Sequence, residues 1–234
     1  MNDETAHIAR AAAALEYNLD ADLFMRVRRA VGVEETRYYL TGVYVEPAAD
    51  GGAIMVATDG RAMLVARDPE GVAPAPAIVR LTMPESQPPA PSCCDDGCCA
   101  LMGDSYVGAR LTFGLPDKGP TVAAMMHGAH PWKHAIVERV KGTFPEWRKV
   151  WSAGAHKQKP RKGHQAYGID PSMLARITGG ERVVLRPLHD GPAQQVIFDG
   201  FGKMAGVIMP CDLTMIDDSA QFADRLACTK EGSQ

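Results

Sequence analysis

Regular patterning begins at Leu15. The stretch LEYNLDA, from Leu15, reads as a short strand. Apolar residues then recur at helical spacing, with Leu23, Val27 and Val31 at i, i+4 and i+8. Asp20 or Asp22 can cap this helix and Gly32 can stop it. Arg26 and Arg29 share its other side, with Arg28 nearby. Three strands are predicted next: RYYLTGVYVEP from Arg37, AIMVATDG from Ala53 and AMLVARD from Ala62. Gly51-Gly52 and Asp59-Gly60 supply the turns between them. The order is β-α-β-β-β.

A second group follows. AIVRLTMP, from Ala77, reads as a strand and runs into a proline-rich loop with a cysteine cluster, spanning 85–104. Three extended segments come after it: YVGARLTFG, TVAAMMHG and HAIVERVKGTFPEWRKVW. The first order recurs here with its helix replaced by the loop. A basic, apolar-poor linker at 153–163 leads to a third group. QAYGID reads as a strand, and DPSMLARITGG as a short helix with Asp170 at its N-cap and Pro171 at N1. ERVVLRPL, QQVIFDG and MAGVIMP read as three strands. One arrangement therefore occurs three times, once damaged, in the order of elements rather than in residue identity. The expected fold class is α+β, with antiparallel sheets and helices on one face. The expected division is a lead-in at 1–14, a domain at 15–152, the linker, a half-domain at 164–213 and a tail at 214–234.

The chain has 234 residues, enough to bury a sizeable core in one large or two modest domains. A formal charge of −3 argues against a generic nucleic-acid-coating protein, although charge segregated onto one face is compatible with DNA contact. No run of apolar residues is long enough to span a membrane. The N-terminus begins acidic and lacks the basic region of a secretory signal. Four of the six cysteines fall in CCDDGCC, where neighbours cannot easily bridge. A reduced, cytoplasmic protein is expected.

The segment RYYLTGVYVE followed by IMVATDGRAMLVARD resembles the middle domain of the bacterial replicative sliding clamp, the beta subunit of DNA polymerase III. KGTFPEWRKVW is similar to the closing strand of that domain. GIDPSMLARI, VIFDG and GVIMPCDL are similar to the end of the family's last domain. These motifs stand in the family's order and span most of Glu16 to Leu213. The family's first domain, and the first half of its last, have no counterpart here. The resemblance implies a clamp fold of repeated βαβββ units, in a shortened and divergent member of a phage or mobile element.

The family binds short peptides of polymerases and clamp loaders in a pocket between its middle and last domains. The matching positions are Thr58, Gly60, Arg61 and Met63 on one wall, and Val207, Met209, Pro210 and Cys211 on the other. The chemistry suits a peptide groove, because methionine adapts its shape and a glycine turn offers backbone groups. The competing reading is an ordinary core at a strand corner. The resemblance also implies DNA encirclement, with cationic helices meeting phosphates without reading bases. The residues for it are Arg26, Arg28, Arg29 and Arg176, with Lys157, Lys159, Arg161 and Lys162 of the linker. A solvated face and a soluble linker are the alternative.

Cys93, Cys94, Cys98 and Cys99 supply four thiolates, but C-x2-C spacing is absent, so a reduced loop is favoured over a zinc site. No G-x-S-x-G, Walker loop, HExxH or G-x-G-x-x-G occurs. The sequence therefore predicts a binding protein rather than an enzyme, with no cofactor. The partners expected are duplex DNA, polymerase and clamp-loader peptides, and further copies of the chain. A clamp-like adaptor or decoy that forms no ring is the second reading.

Overall fold

The computed structural model describes residues 15–84, 106–152, 168–187, 193–198 and 203–210. In chain order the first group is β1 (Leu15–Asp20), α1 (Ala21–Val27), β2 (Val43–Pro47), β3 (Ala53–Thr58) and β4 (Ala62–Asp68). The second is β5 (Ala77–Thr82), β6 (Arg110–Leu115), β7 (Pro120–His127), β8 (His130–Val140) and α2 (Trp147–Ser152). The third is α3 (Pro171–Thr178), β9 (Val183–Pro187), β10 (Gln194–Phe198) and β11 (Met204–Ile208). The strands form one antiparallel sheet in the order β1-β6-β7-β8-β5-β2-β3-β4-β11-β10-β9.

Leading strands do not stay with their own group. β1 pairs with β6, and β5 pairs with β2. The first two groups therefore exchange their leading strands reciprocally. The third group joins through β11, which pairs with β4 from Ile208↔Ala62 to Met204↔Ala66. Residues 15–152 and the third group thus share a sheet.

Both faces of the central strands are covered, which is why β3 and β4 read as nearly continuous apolar runs. Met55, Ala57, Leu64 and Ala66 join the large core under α1. Val56, Met63 and Val207 join a second cluster on the opposite face, with Leu40, Ile78, Phe144 and Trp147. In the large core, Tyr17 stacks on Phe113 with centroids 5.1 Å apart, and its hydroxyl donates to the Ala75 carbonyl at 2.7 Å. Asp20 caps α1 by accepting from the Leu23 amide, and Asp170 caps α3 by accepting from the Ser172 and Met173 amides. Gly179 ends α3 with φ at 61°, a conformation that favours glycine.

Three expectations are corrected. RYYLTGVYVEP is not one strand: Glu35–Leu40 is a 3-10 segment, and the strand starts at Val43. Its aromatic and β-branched residues favour a strand locally. The chain instead turns where the Gly32 amide donates to Leu40 O and the Thr41 hydroxyl to Tyr38 O. FPEWRKVW is not extended, because after Pro145 the chain forms α2 and seats Trp147 on the sheet. YVGARLTFG starts as a turn, closed by the Ala109 amide on Tyr106 O, and the strand begins at Arg110. The proline and cysteine loop, the basic linker, Gln165 to Tyr167 and the C-terminal tail lie outside the described residues. Among the described residues, no helix is long and apolar enough to cross a membrane. Nor do any three His, Cys, Asp or Glu there group to hold a metal ion.

Candidate functional site

The β3–β4 corner is built by side chains gripping their own backbone. The Thr58 hydroxyl donates to Ala62 O at 2.7 Å and accepts from the Gly60 amide at 3.0 Å. One carboxylate oxygen of Asp59 accepts from the amides of Arg61 and Ala62, both at 2.8 Å. Gly60 has φ at 88°, which a side chain would resist, and a Cβ there would stand 3.0 Å from the Arg37 guanidinium. Each residue of Thr-Asp-Gly is thus fixed by the turn it makes.

This corner is tied to the end of β11. The Met209 amide donates to Arg61 O at 2.8 Å, just past the last pair of the β4–β11 ladder. Beneath that joint lies an apolar cavity of about 320 Å³. Its floor is Leu40, Met63 and Val207, and its walls include Tyr39, Trp147, Val150 and Met209. Arg37 and Arg61 stand on the rim with Glu146. Met209 is 43% exposed, an apolar side chain open to solvent at the edge of the groove. Such a site accepts large apolar side chains of an extended segment, with polar groups at the edge to orient it.

Of the residues assigned from sequence to this pocket, Thr58, Gly60, Arg61, Met63, Val207 and Met209 line it together. Pro210 does not. Met209 is anchored by its amide, whereas Pro210 has no amide hydrogen to anchor it and contributes nothing to the lining. Cys211 lies outside the described residues. Sequence reasoning missed Arg37, Tyr39, Leu40, Pro145, Trp147 and Val150. For α2 the signal was present, because Trp147, Val150 and Trp151 after a proline have the spacing of one helical face.

Three of the four described arginines assigned to DNA pair with protein carboxylates. Arg26 pairs with Glu181 at 2.8 Å and with Asp22 at 3.2 Å. Arg29 reaches Glu181 at 3.0 Å and also donates to Thr178 O. Arg176 pairs with Asp59. α3 packs against the 3-10 turn Arg28–Ala30 that follows α1, which brings Glu181, just after α3, to Arg26 and Arg29. Arg28 is exposed. Lys157, Lys159, Arg161 and Lys162 lie outside the described residues.

Asp59 therefore serves the corner and the joint at once. Burial alone would raise its pKa. The Ala62 amide, the Arg176 guanidinium and the Arg61 amide outweigh burial and hold it below the ordinary value of 3.8. The unfolded chain then binds this proton more readily than the folded one. The stabilisation is complete above about pH 4 and is lost as pH falls through the lower folded pKa. Urea midpoints followed from neutral pH to about pH 2 are expected to fall more steeply in the unaltered chain than in Asp59→Asn. Parallel curves would refute the assignment.

Comparison with solved structures places this fold among bacterial sliding clamps. The DnaN sliding clamp of Bartonella birtlesii, solved bound to griselimycin, matches with a TM-score of 0.53 and 14% identity, over 86% of this chain and 66% of that one. The Pseudomonas aeruginosa clamp, solved with a ligand, matches at 0.53 and 15%, over 85% and 66%. The Borrelia burgdorferi beta subunit, in complex with a natural product, matches at 0.51 and 14%, over 85% and 63%. The chain thus spans just under two thirds of the length of these clamps, and identities this low establish the fold alone. No protein-family model matches the sequence. A search of curated proteins finds no match either.

Proposed function

We propose that the chain is a non-enzymatic, clamp-like protein of DNA replication. It holds a short linear peptide of a polymerase or clamp loader in the pocket between the Thr58–Met63 corner and Met209. Its three groups of elements are copies of one βαβββ unit, the second with its helix replaced. The reciprocal exchange of β1 and β5 supports that reading. The observation that carries the function is the cavity itself. Residues far apart in the chain, from Arg37 to Met209, converge on an apolar groove at the joint between the first and third units.

The test is fluorescence polarisation with a labelled short peptide that carries adjacent leucine and phenylalanine. The unaltered chain is expected to bind it. Met209→Ala is expected to bind about 10-fold or more weakly, since a buried side chain of this size contributes about 1.5–3 kcal/mol. Met209 is half-exposed, so folding should be unaffected. No binding by the unaltered chain refutes the proposal.

One observation favours the second reading, an adaptor or decoy that binds the same peptides without enclosing DNA. Arg26 and Arg29 are engaged with Glu181 at the joint. DNA contact then falls to Arg28 and the linker cations. Retention on circular duplex DNA, lost when those residues are replaced by glutamate, supports the encircling form. Peptide binding without retention supports the adaptor.

A further inference from the structure

A second cavity adjoins the apolar one at the β3–β4 corner. It is smaller, about 140 Å³, and its walls are polar. Arg37, Arg61 and Arg176 stand there with Glu34 and Asp59, and Val33 lines it at 88% exposure. Arg37, Leu40 and Arg61 belong to both cavities, so the two share a wall.

The charges of the polar cavity do not cancel. Three guanidinium groups line it with two carboxylates. Asp59 is fully engaged: one oxygen accepts from the Arg61 and Ala62 amides, and the other meets Arg176. Glu34 lies 3.5 Å from Arg37, and both side chains are more than half exposed. Such a pair contributes little and is readily exchanged for a better partner. Arg61 is the cation left over. Its side chain is exposed and has no hydrogen bond or ion pair among the described residues. Asp170 feels the Arg61 charge, but its carboxylate accepts from the Ser172 hydroxyl and the Ser172 and Met173 amides. The Arg61 backbone is held on both sides, its amide by Asp59 and its carbonyl by the Met209 amide. The guanidinium therefore springs from a fixed point on the shared wall.

We propose that the polar cavity reads an acidic side chain, aspartate or glutamate, of the same peptide whose apolar side chains fill the neighbouring cavity. Arg61 donates charge-assisted hydrogen bonds to that carboxylate, and the weakly held Arg37 is the second donor. A cavity of about 140 Å³ equals the liquid volume of about four to five waters, which suits one short side chain rather than a nucleotide. Val33 offers an apolar contact to the methylene groups beside the carboxylate. The shared wall is why the acid belongs to the peptide itself: one extended segment that crosses Arg37 and Arg61 meets both cavities. The inference rests on the peptide-binding reading of the apolar cavity and adds to it a sequence preference.

The experiment is fluorescence polarisation on the full chain with labelled peptides that carry adjacent leucine and phenylalanine. Two of them carry aspartate, one before the pair and one after it, and each has a twin with asparagine in its place. The unaltered chain is expected to bind one aspartate peptide about 10-fold more tightly than its twin. Arg61→Gln should erase most of that ratio. Lost packing would weaken both twins alike and leave the ratio standing, so the ratio isolates the charge. Added salt should narrow it, because Arg61 is exposed. Equal affinity for the twins at both positions overturns the inference, as does a preference that Arg61→Gln leaves intact. A melting temperature raised by inorganic phosphate would then assign the cavity to a free anion. Equal binding of the twins leaves the proposed function in place, whereas no binding of any of the four peptides refutes the proposed function itself.

Discussion

Gly206→Val is expected to open the β4–β11 seam and abolish the pocket together. Gly206 faces Leu64 across the ladder. A Cβ added there would stand 2.7 Å from a Leu64 methyl, 3.0 Å from Met63 O and 3.4 Å from the Val196 Cβ. The leucine can rotate away, but the carbonyl belongs to a paired strand and cannot. Overpacking of this kind costs about 1–3 kcal/mol. At this chain length each kcal/mol lowers the melting temperature by roughly 2–4 °C. The loss reaches the site because Val207 lies in the same strand and Met209 directly after it, its amide held by Arg61 O. Peptide affinity should fall about 10-fold or more, beyond what the change in melting temperature explains. An unchanged melting curve with unchanged affinity would show that the seam is not what positions the pocket.

Trp147→Ala is expected to be the costliest substitution on the pocket side of the sheet. Trp147 is 8% exposed, packs with Phe144, Met63 and Val207, and also lines the cavity. Truncating a buried tryptophan costs about 3–5 kcal/mol. The Arg148 guanidinium rests over its ring at 4.4 Å and loses that contact as well. Trp147→Phe keeps an aromatic wall and should recover most of the stability. The informative comparison is between thermal unfolding and peptide binding in these two variants. If alanine lowers the melting temperature while affinity holds, Trp147 is packing alone and the cavity wall has been misassigned.

Much of this fold was legible in the sequence because its local signals agree with its tertiary structure. Asp20 and Asp170 precede helical spacing and do cap helices, Gly179 ends one, and the last three strands, β9, β10 and β11, lie where their apolar runs predict. Where local preference and tertiary demand part, the reading failed. Tyr38, Tyr39 and Leu40 are strand-forming residues, yet Leu40 is needed beneath the cavity, and a turn brings it there. Phe144 and Trp147 have aromatic bulk that suits a strand, yet they cap the sheet as a loop and a helix. The corner at Thr58 and the rim at Met209 were visible because short motifs carry them. The remaining walls come from Arg37 to Leu40 and Pro145 to Val150, distant in the chain and joined only by folding. Arg26 and Arg29 show the opposite limit. Their charge was plain in the sequence, but Glu181, far along the chain, decides where that charge is spent.

The bridge between Asn18 and Val72 has a consequence for how the β1 edge meets other strands. Both backbone groups of Asn18 on the far side of β1 are taken, donating to Val72 O at 3.0 Å and accepting from the Val72 amide at 2.7 Å. At Asn18, midway along one outer strand of the eleven-stranded sheet, the chain itself therefore occupies the backbone groups that an incoming strand would need. A foreign strand cannot run unbroken along β1 without displacing Val72, so this edge is protected from uncontrolled sheet extension by a device of one residue pair.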